Sequence, residues 1–202
     1  SNRQIIHDVA FTVHAGEVVG IAGLMGAGRT ELAMSIFGRS YGQKISGSIK
    51  LHGQEAIIKD IPSAISAGMA YVTEDRKSLG LVLDDTVQRN KTLANLPSVA
   101  KAGVLNEDEE AKVAEEYRIS LQIRTPSVQQ IVGNLSGGNQ QKIVLAKWLF
   151  TEPDVLMLDE PTRGIDIGAK YEIYGLINEL SERDKGVVMI SSELPELLGL
   201  SL

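Results

Sequence analysis

Three stretches of this chain bring together residue types that handle phosphate. The first is Gly23-Leu24-Met25-Gly26-Ala27-Gly28-Arg29-Thr30, which follows the apolar run Val18–Ala22 and leads into a helical pattern opening at Glu31. Its spacing is that of a phosphate-cradling loop, with Arg29 where lysine belongs. Glycines let backbone N–H groups converge on phosphate oxygens, the following helix start adds a positive dipole end, and the Thr30 hydroxyl suits Mg²⁺. Arg29 keeps the charge but replaces a compact ammonium with a planar fork. Gly23 through Glu31 is therefore the candidate nucleotide-binding segment, with impaired γ-phosphate chemistry expected of it. An ordinary glycine-rich turn carrying a surface arginine is the competing reading. The second stretch is Val155-Leu156-Met157-Leu158-Asp159-Glu160, an apolar strand ending in two carboxylates. At a strand's carboxyl end Asp159 can hold Mg²⁺ and Glu160 can polarise an attacking water as general base. The alternative is an acidic pair entering a loop. The third is Leu135-Ser136-Gly137-Gly138-Asn139-Gln140-Gln141-Lys142, ahead of apolar residues at helical spacing. Ser136 can cap that helix while the glycines bare its first N–H groups. One nucleotide does not need two such loops from one subunit, so the second is read as serving a nucleotide held by a partner; a plain serine cap is the alternative.

Such groups need a scaffold, and composition bounds it. The chain has 202 residues, 43% hydrophobic and 23% charged, with a net charge of −6. That is enough apolar material for a real core, and the balance is not that of a nucleic-acid binder. The absence of cysteine excludes disulfides, thiolate metal sites and a cysteine nucleophile. Val18–Ala22, Met69–Val72, Val155–Leu158 and Val187–Ile190 are short continuous apolar runs, read as strands buried on both faces. Between the last two, Ile173, Leu176, Ile177 and Leu180 recur at helical spacing, which implies a right-handed crossover and a parallel sheet. Residues 9–13 and 48–51 alternate and are expected to form half-exposed, antiparallel strands. Residues 93–150 read as mostly helical, with Glu107-Asp108-Glu109-Glu110 opening one helix and Pro126-Ser127 punctuating before a second. His7 and His14 read as surface residues.

In this order and spacing the three stretches resemble the nucleotide-binding domain of ABC transporters, over nearly the whole chain. Leu135–Gln141 is similar to the family's signature motif, Leu156–Pro161 to its Walker B strand, and the continuation through Gly164, Ile165 and Asp166 to its D-loop. The resemblance implies an α/β P-loop ATPase core with a mostly parallel sheet, a small antiparallel part and an inserted helical subdomain. In a single domain spanning 1–202, residues 1–85 and 151–202 would form the core and about 86–150 the helical part. It implies ATP and Mg²⁺ as cofactors, with Thr30, Asp159 and Glu74 as metal-site residues. The N-Q-Q-K extension at Asn139–Lys142 and the string Gly164–Tyr174 resemble the xylose and multiple-sugar importers, which fuse two such domains in one polypeptide. Implied partners are a second nucleotide-binding domain, permease subunits and, indirectly, a sugar-binding protein, with no nucleic acid. The implied location is peripheral, at the cytoplasmic face of the plasma or inner membrane.

Departures from the family pattern narrow this further. Arg29 replaces the loop lysine, Glu74 stands where the Q-loop glutamine belongs, and Ser192 replaces the H-loop histidine. These resemble the C-terminal domain of the fused sugar-importer ATPases. The expectation is a degenerate site on Gly23–Thr30 that binds ATP and hydrolyses it slowly. Ser136, Gly137 and Gly138, with Leu135, Asn139 and Gln140, would complete a partner's site, Ser192 and Asp166 would act as switch residues, and residues 74–83 would couple closure to a membrane partner. Retention of Glu160 beside a blunted loop has no account at this level. The alternatives are a module that clamps ATP without hydrolysing it and an ABC-type ATPase outside transport. A kinase or GTPase reading leaves the Ser136–Gly138 stretch unexplained and lacks an N-K-x-D guanine reader. The chain is expected to be a fragment of a longer protein.

Overall fold

A computed structural model describes residues 5–24 and 26–200. In chain order its regular elements are β1 (Val18–Ala22), α1 (Arg29–Ile36), β2 (Ile49–Leu51), β3 (Gln54–Ala56), α2 (Ile61–Ser66), β4 (Met69–Val72), α3 (Val87–Thr92), β5 (Ala100–Lys101) and β6 (Val104–Leu105). There follow α4 (Glu107–Ser120), α5 (Gly137–Leu149), β7 (Val155–Asp159), α6 (Ile167–Glu182), β8 (Gly186–Ser191) and α7 (Leu194–Leu200). They fall into two compact units.

The first unit takes the chain up to Glu74, then Pro153–Pro161 and the chain from Ile177. Its centre is a parallel sheet in the order β1-β8-β7-β4. β4 and β8 are buried along their whole length and β7 from Leu156 on, as their unbroken apolar runs require. β1 departs from the expectation of two covered faces: it is half-exposed and, among the described residues, pairs only with β8. Residues 48–51 form the expected antiparallel piece as β2, paired with β3. Residues 9–13 do not form the expected strand; Val9 and Phe11 are exposed and no ladder partner takes them among the described residues. Alternation alone marks a surface with two unlike faces, and a strand also needs a neighbour for its N–H and C=O groups.

The second unit takes Asp75–Glu152 and Thr162–Leu176. Three of its helices begin on side-chain caps: Thr86 accepts from Arg89 N–H, Asn106 from Asp108 and Glu109, and Ser136 from Asn139. The β5–β6 hairpin interrupts the stretch read as mostly helical. Its turn residues Ala102 and Gly103 both have positive φ, 53° and 81°, the conformation a tight two-residue hairpin demands. Pro126-Ser127 precedes irregular backbone, and the next α-helix starts only after the Ser136 cap. Lys91 is 1% exposed, its ammonium 3.7 Å from the Tyr117 ring centre and 3.3 Å from that of Phe150. Burial pulls its pKa down to about 7, with Glu116 opposing. Among the described residues no helix is long and apolar enough to cross a membrane.

Candidate functional site

Because the four strands of the sheet run parallel, the segments leaving their carboxyl ends emerge at one edge. Those segments carry Gly23–Thr30 after β1, Glu74 after β4, Glu160 after β7 and Ser192 after β8. Gly26 and Gly28 take φ of 78° and 88°, a region open to glycine, and Gly28 serves as the left-handed cap of α1. Ile5 and Ile6 close over Gly28. Leu24 is 81% exposed, the Ala27 N–H bonds to the Leu24 carbonyl, and Glu31 lies half-buried in the first turn of α1. Met25 lies outside the described residues.

The Arg29 side chain folds back over Gly23, where a Cβ would meet its Cδ at 3.1 Å. Its Nη2 then reaches Oε1 of Glu160 at 3.1 Å, both side chains being largely buried. The same carboxylate oxygen accepts the Ser192 N–H at 2.7 Å. Glu160 itself holds a φ of 47°, a left-handed backbone that costs a non-glycine residue about 1 kcal/mol. The strained turn and two donors together fix its carboxylate on the loop arginine.

Asp159, 1% exposed, accepts the Tyr71 hydroxyl on Oδ2 at 2.9 Å. Burial pushes the Asp159 carboxyl up, and hydrogen bonds from Thr30 and Tyr71 pull it back. Burial and the Asp159 charge in turn push the Tyr71 hydroxyl well up. The Thr30 hydroxyl lies 3.4 Å from Glu74 Oε2. Among the described residues no three His, Cys, Asp or Glu side chains converge as a self-sufficient metal cage. The buried Oδ1 of Asp159 nevertheless has no hydrogen-bond partner. One orphaned carboxylate oxygen, a hydroxyl and a second carboxylate suit a hard cation that takes its remaining ligands from phosphates and water. The Mg²⁺ donor set therefore fits.

In the second unit Ser136 is exposed at the start of α5, with Gly137 half-buried and Gly138 buried. The glycines do more than bare the backbone. A Cβ on Gly138 would stand 2.5 Å from that of Ala169, so Gly138 permits α5 to pack on α6. One on Gly137 would stand 2.8 Å from Arg76 Nη2. Gln140, 5% exposed, turns inward, its amide donating to the carbonyls of Val132 and Leu135, so it braces the turn. Asp166 accepts the Ala169 N–H at 2.9 Å and caps α6.

Sequence reasoning missed Tyr71 and Arg76. An aromatic hydroxyl inside an otherwise apolar strand was the available signal for Tyr71, since a buried hydroxyl needs a partner. Arg76 opens a π-helical turn over Arg76–Gly80 and donates to the carbonyls of Arg163 at 2.9 Å and Gly164 at 3.4 Å. It thereby ties that turn to the segment that follows β7.

The comparisons with known proteins follow the same lines. The family described as ABC transporter matches residues 6–163. The L-arabinose transport ATP-binding protein AraG of Geobacillus stearothermophilus is 56% identical over 200 residues, covering 99% of this chain and 39% of that protein. The xylose import ATP-binding protein XylG of Thermoanaerobacter pseudethanolicus is 54% identical over 199 residues, covering 98% and 39%. The chain thus spans about two fifths of the length of these curated relatives. Among solved structures, a nucleotide-free ATP-binding cassette from an ABC transporter superposes with a TM-score of 0.81 at 19% identity, over 100% of this chain and 80% of that one, which establishes the fold. On the family match and these relatives, the chain belongs to the ABC transporter ATP-binding family.

Proposed function

We propose that this chain is an ATP-binding domain of a monosaccharide importer, the C-terminal one of two in a fused polypeptide, whose own phosphate loop is degenerate and whose signature completes the site of its partner domain. Relatives named for arabinose, xylose, ribose and galactose import support the substrate class. The observation that carries the degenerate site is the Arg29–Glu160 pair. The cation meant for a triphosphate and the carboxylate meant for a water neutralise one another, so each must be released before it can serve. Ser192 offers Glu160 only its backbone N–H and brings no imidazole.

At its own site Gly23–Thr30 would cradle the phosphates, with Thr30 and Asp159, and Glu74 beside them, holding Mg²⁺. When bound, that ion supplies charge neutralisation across the phosphates. Tyr71 holds the Asp159 carboxylate in place, while Glu160, kept on Arg29, leaves the attacking water weakly polarised. In the partner's site, Ser136 and the first N–H groups of α5 would meet the γ-phosphate. Closure would pass to permease subunits at a membrane face through residues 74–83, where Leu79 and Val82 are exposed.

ATP turnover of the isolated chain tests this. Slow turnover with measurable binding is expected, and brisk Mg²⁺-dependent hydrolysis without a partner would overturn it. In the full-length importer ATPase, Ser136→Arg should abolish most turnover; unchanged turnover would mean the signature does not act on the partner. A clamp without any hydrolysis is the second reading, favoured by the same ion pair, and zero turnover with the partner's base removed would select it.

A further inference from the structure

The side-chain amide of Asn139, the signature's fifth residue, is engaged at both ends within this chain. Asn139 Oδ1 accepts the backbone N–H of Arg124 at 2.8 Å. A backbone N–H can only donate, so the orientation of the amide is settled: Nδ2 must face the other way. It faces Ser136, 2.9 Å from Oγ. The Asn139 backbone N–H approaches the same oxygen at 3.5 Å. Ser136 Oγ therefore receives two donors on its lone pairs, and its own proton has to point elsewhere. Among the described residues nothing accepts that proton, and Ser136 is exposed.

We propose that Asn139 is a positioning residue that forces the Ser136 hydroxyl to act as a donor, aimed at an anionic oxygen of the γ-phosphate held by the partner domain. This rests on the reading that the signature completes a partner's site. A serine capping a helix for stability alone needs only to accept, and its proton is free to rotate. Here the side-chain amide takes the remaining lone pair and turns a two-way hydroxyl into a one-way one. The amide is anchored from behind: Arg124 pairs with Glu172 at 2.8 Å, and the buried Lys142 holds Glu172 at 2.7 Å and the Gln122 carbonyl at 3.0 Å. The network spans α5, α6 and the loop before α5, so the donor direction is built into the packing.

Turnover of the full-length importer ATPase carrying Asn139→Leu, Asn139→Asp, Ser136→Ala, or Asn139→Leu with Ser136→Ala is the test. Asn139→Leu removes the amide without adding charge. Asn139→Asp keeps the Arg124 bond and makes Ser136 donate inward, so it stays informative if the leucine variant unfolds. Each single change is expected to lower kcat roughly tenfold, with the KM for ATP within about twofold and an unchanged melting temperature for the aspartate variant. The double variant should be no slower than Ser136→Ala. Full turnover in both Asn139 variants with an impaired Ser136→Ala would overturn the role of Asn139 alone, as would multiplying losses in the double variant. Full turnover in Ser136→Ala would overturn the reading beneath it.

Discussion

Arg29 and Glu160 share a buried ion pair, Nη2 to Oε1 at 3.1 Å, with side-chain exposures of 10% and 7%. The carboxylate thus gives the loop guanidinium a buried counter-ion within the chain. Removing one member of such a pair strands the other. Glu160→Gln should lower the stability of the nucleotide-free chain by about 1–3 kcal/mol, and ATP should restore most of it by offering Arg29 a phosphate. Thermal melting with and without ATP measures both. Arg29→Lys should raise ATP affinity roughly tenfold, because an ammonium is released from the carboxylate more readily than a fork. Titration calorimetry reads that change, and equal affinity would argue against the pair as the obstacle.

Tyr71→Phe leaves the buried Asp159 carboxylate without its hydroxyl donor. A loss of about 1–3 kcal/mol is expected at neutral pH. Asp159 already titrates above its ordinary value because of burial, so the folded chain takes up its proton first as pH falls. The penalty for the phenylalanine should therefore shrink on acidification. Denaturant melts at pH 5 and pH 7.5 would show it, and an equal loss at both would count against a charged Asp159.

Lys91 gives a pH dependence of opposite origin. Unfolded, it titrates near 10.5; folded, at about 7. Between those values the unfolded chain carries the extra proton, so stability rises with pH across the window. Lys91→Met should stabilise the second unit, more at pH 6.5 than at pH 9.5, where the folded amine is already neutral and little of the cost of stripping the proton carried by the unfolded chain remains. Melting curves at those two pH values are the check.

Gly138→Ala and Gly175→Ala form a matched pair. The first puts a methyl 2.5 Å from Ala169 Cβ, while the second meets nothing within 4 Å. Gly138→Ala should cost about 1–3 kcal/mol through overpacking, and Gly175→Ala should gain up to about 1 kcal/mol as a helix interior. Chemical denaturation of both variants separates packing from propensity.

The parts of this fold legible in the sequence are those where one local signal suffices. β4, β7 and β8 announce themselves as unbroken apolar runs, and α6 by the spacing of Ile173, Ile177 and Leu180, all three buried. Residues 9–13 show the limit of this: alternation could not supply a neighbouring strand, and the apolar Val9 and Phe11 stay exposed. The β5–β6 hairpin was hidden because Ala102-Gly103 is a weaker turn signal than asparagine or aspartate before glycine. In the site, residue types and order put Asp159 at the end of a strand, Glu160 just beyond it and Arg29 where the loop passes into a helix. Their pairing was not legible, because Arg29–Glu160, Tyr71–Asp159 and Asn139–Arg124 depend on side-chain direction across segments distant in sequence.

The strand order β1-β8-β7-β4 has a consequence for how the protein is made. The strand that leads into the phosphate loop is made well before β8, the strand it hydrogen-bonds to. Until residues 186–191 arrive, β1 has no described partner to zip against, and Glu160 lacks the backbone donor that follows β8. The nascent chain must keep an open sheet edge waiting while residues 23–185 are made, a pattern that favours slow closure and gives chaperones a defined stretch to shield.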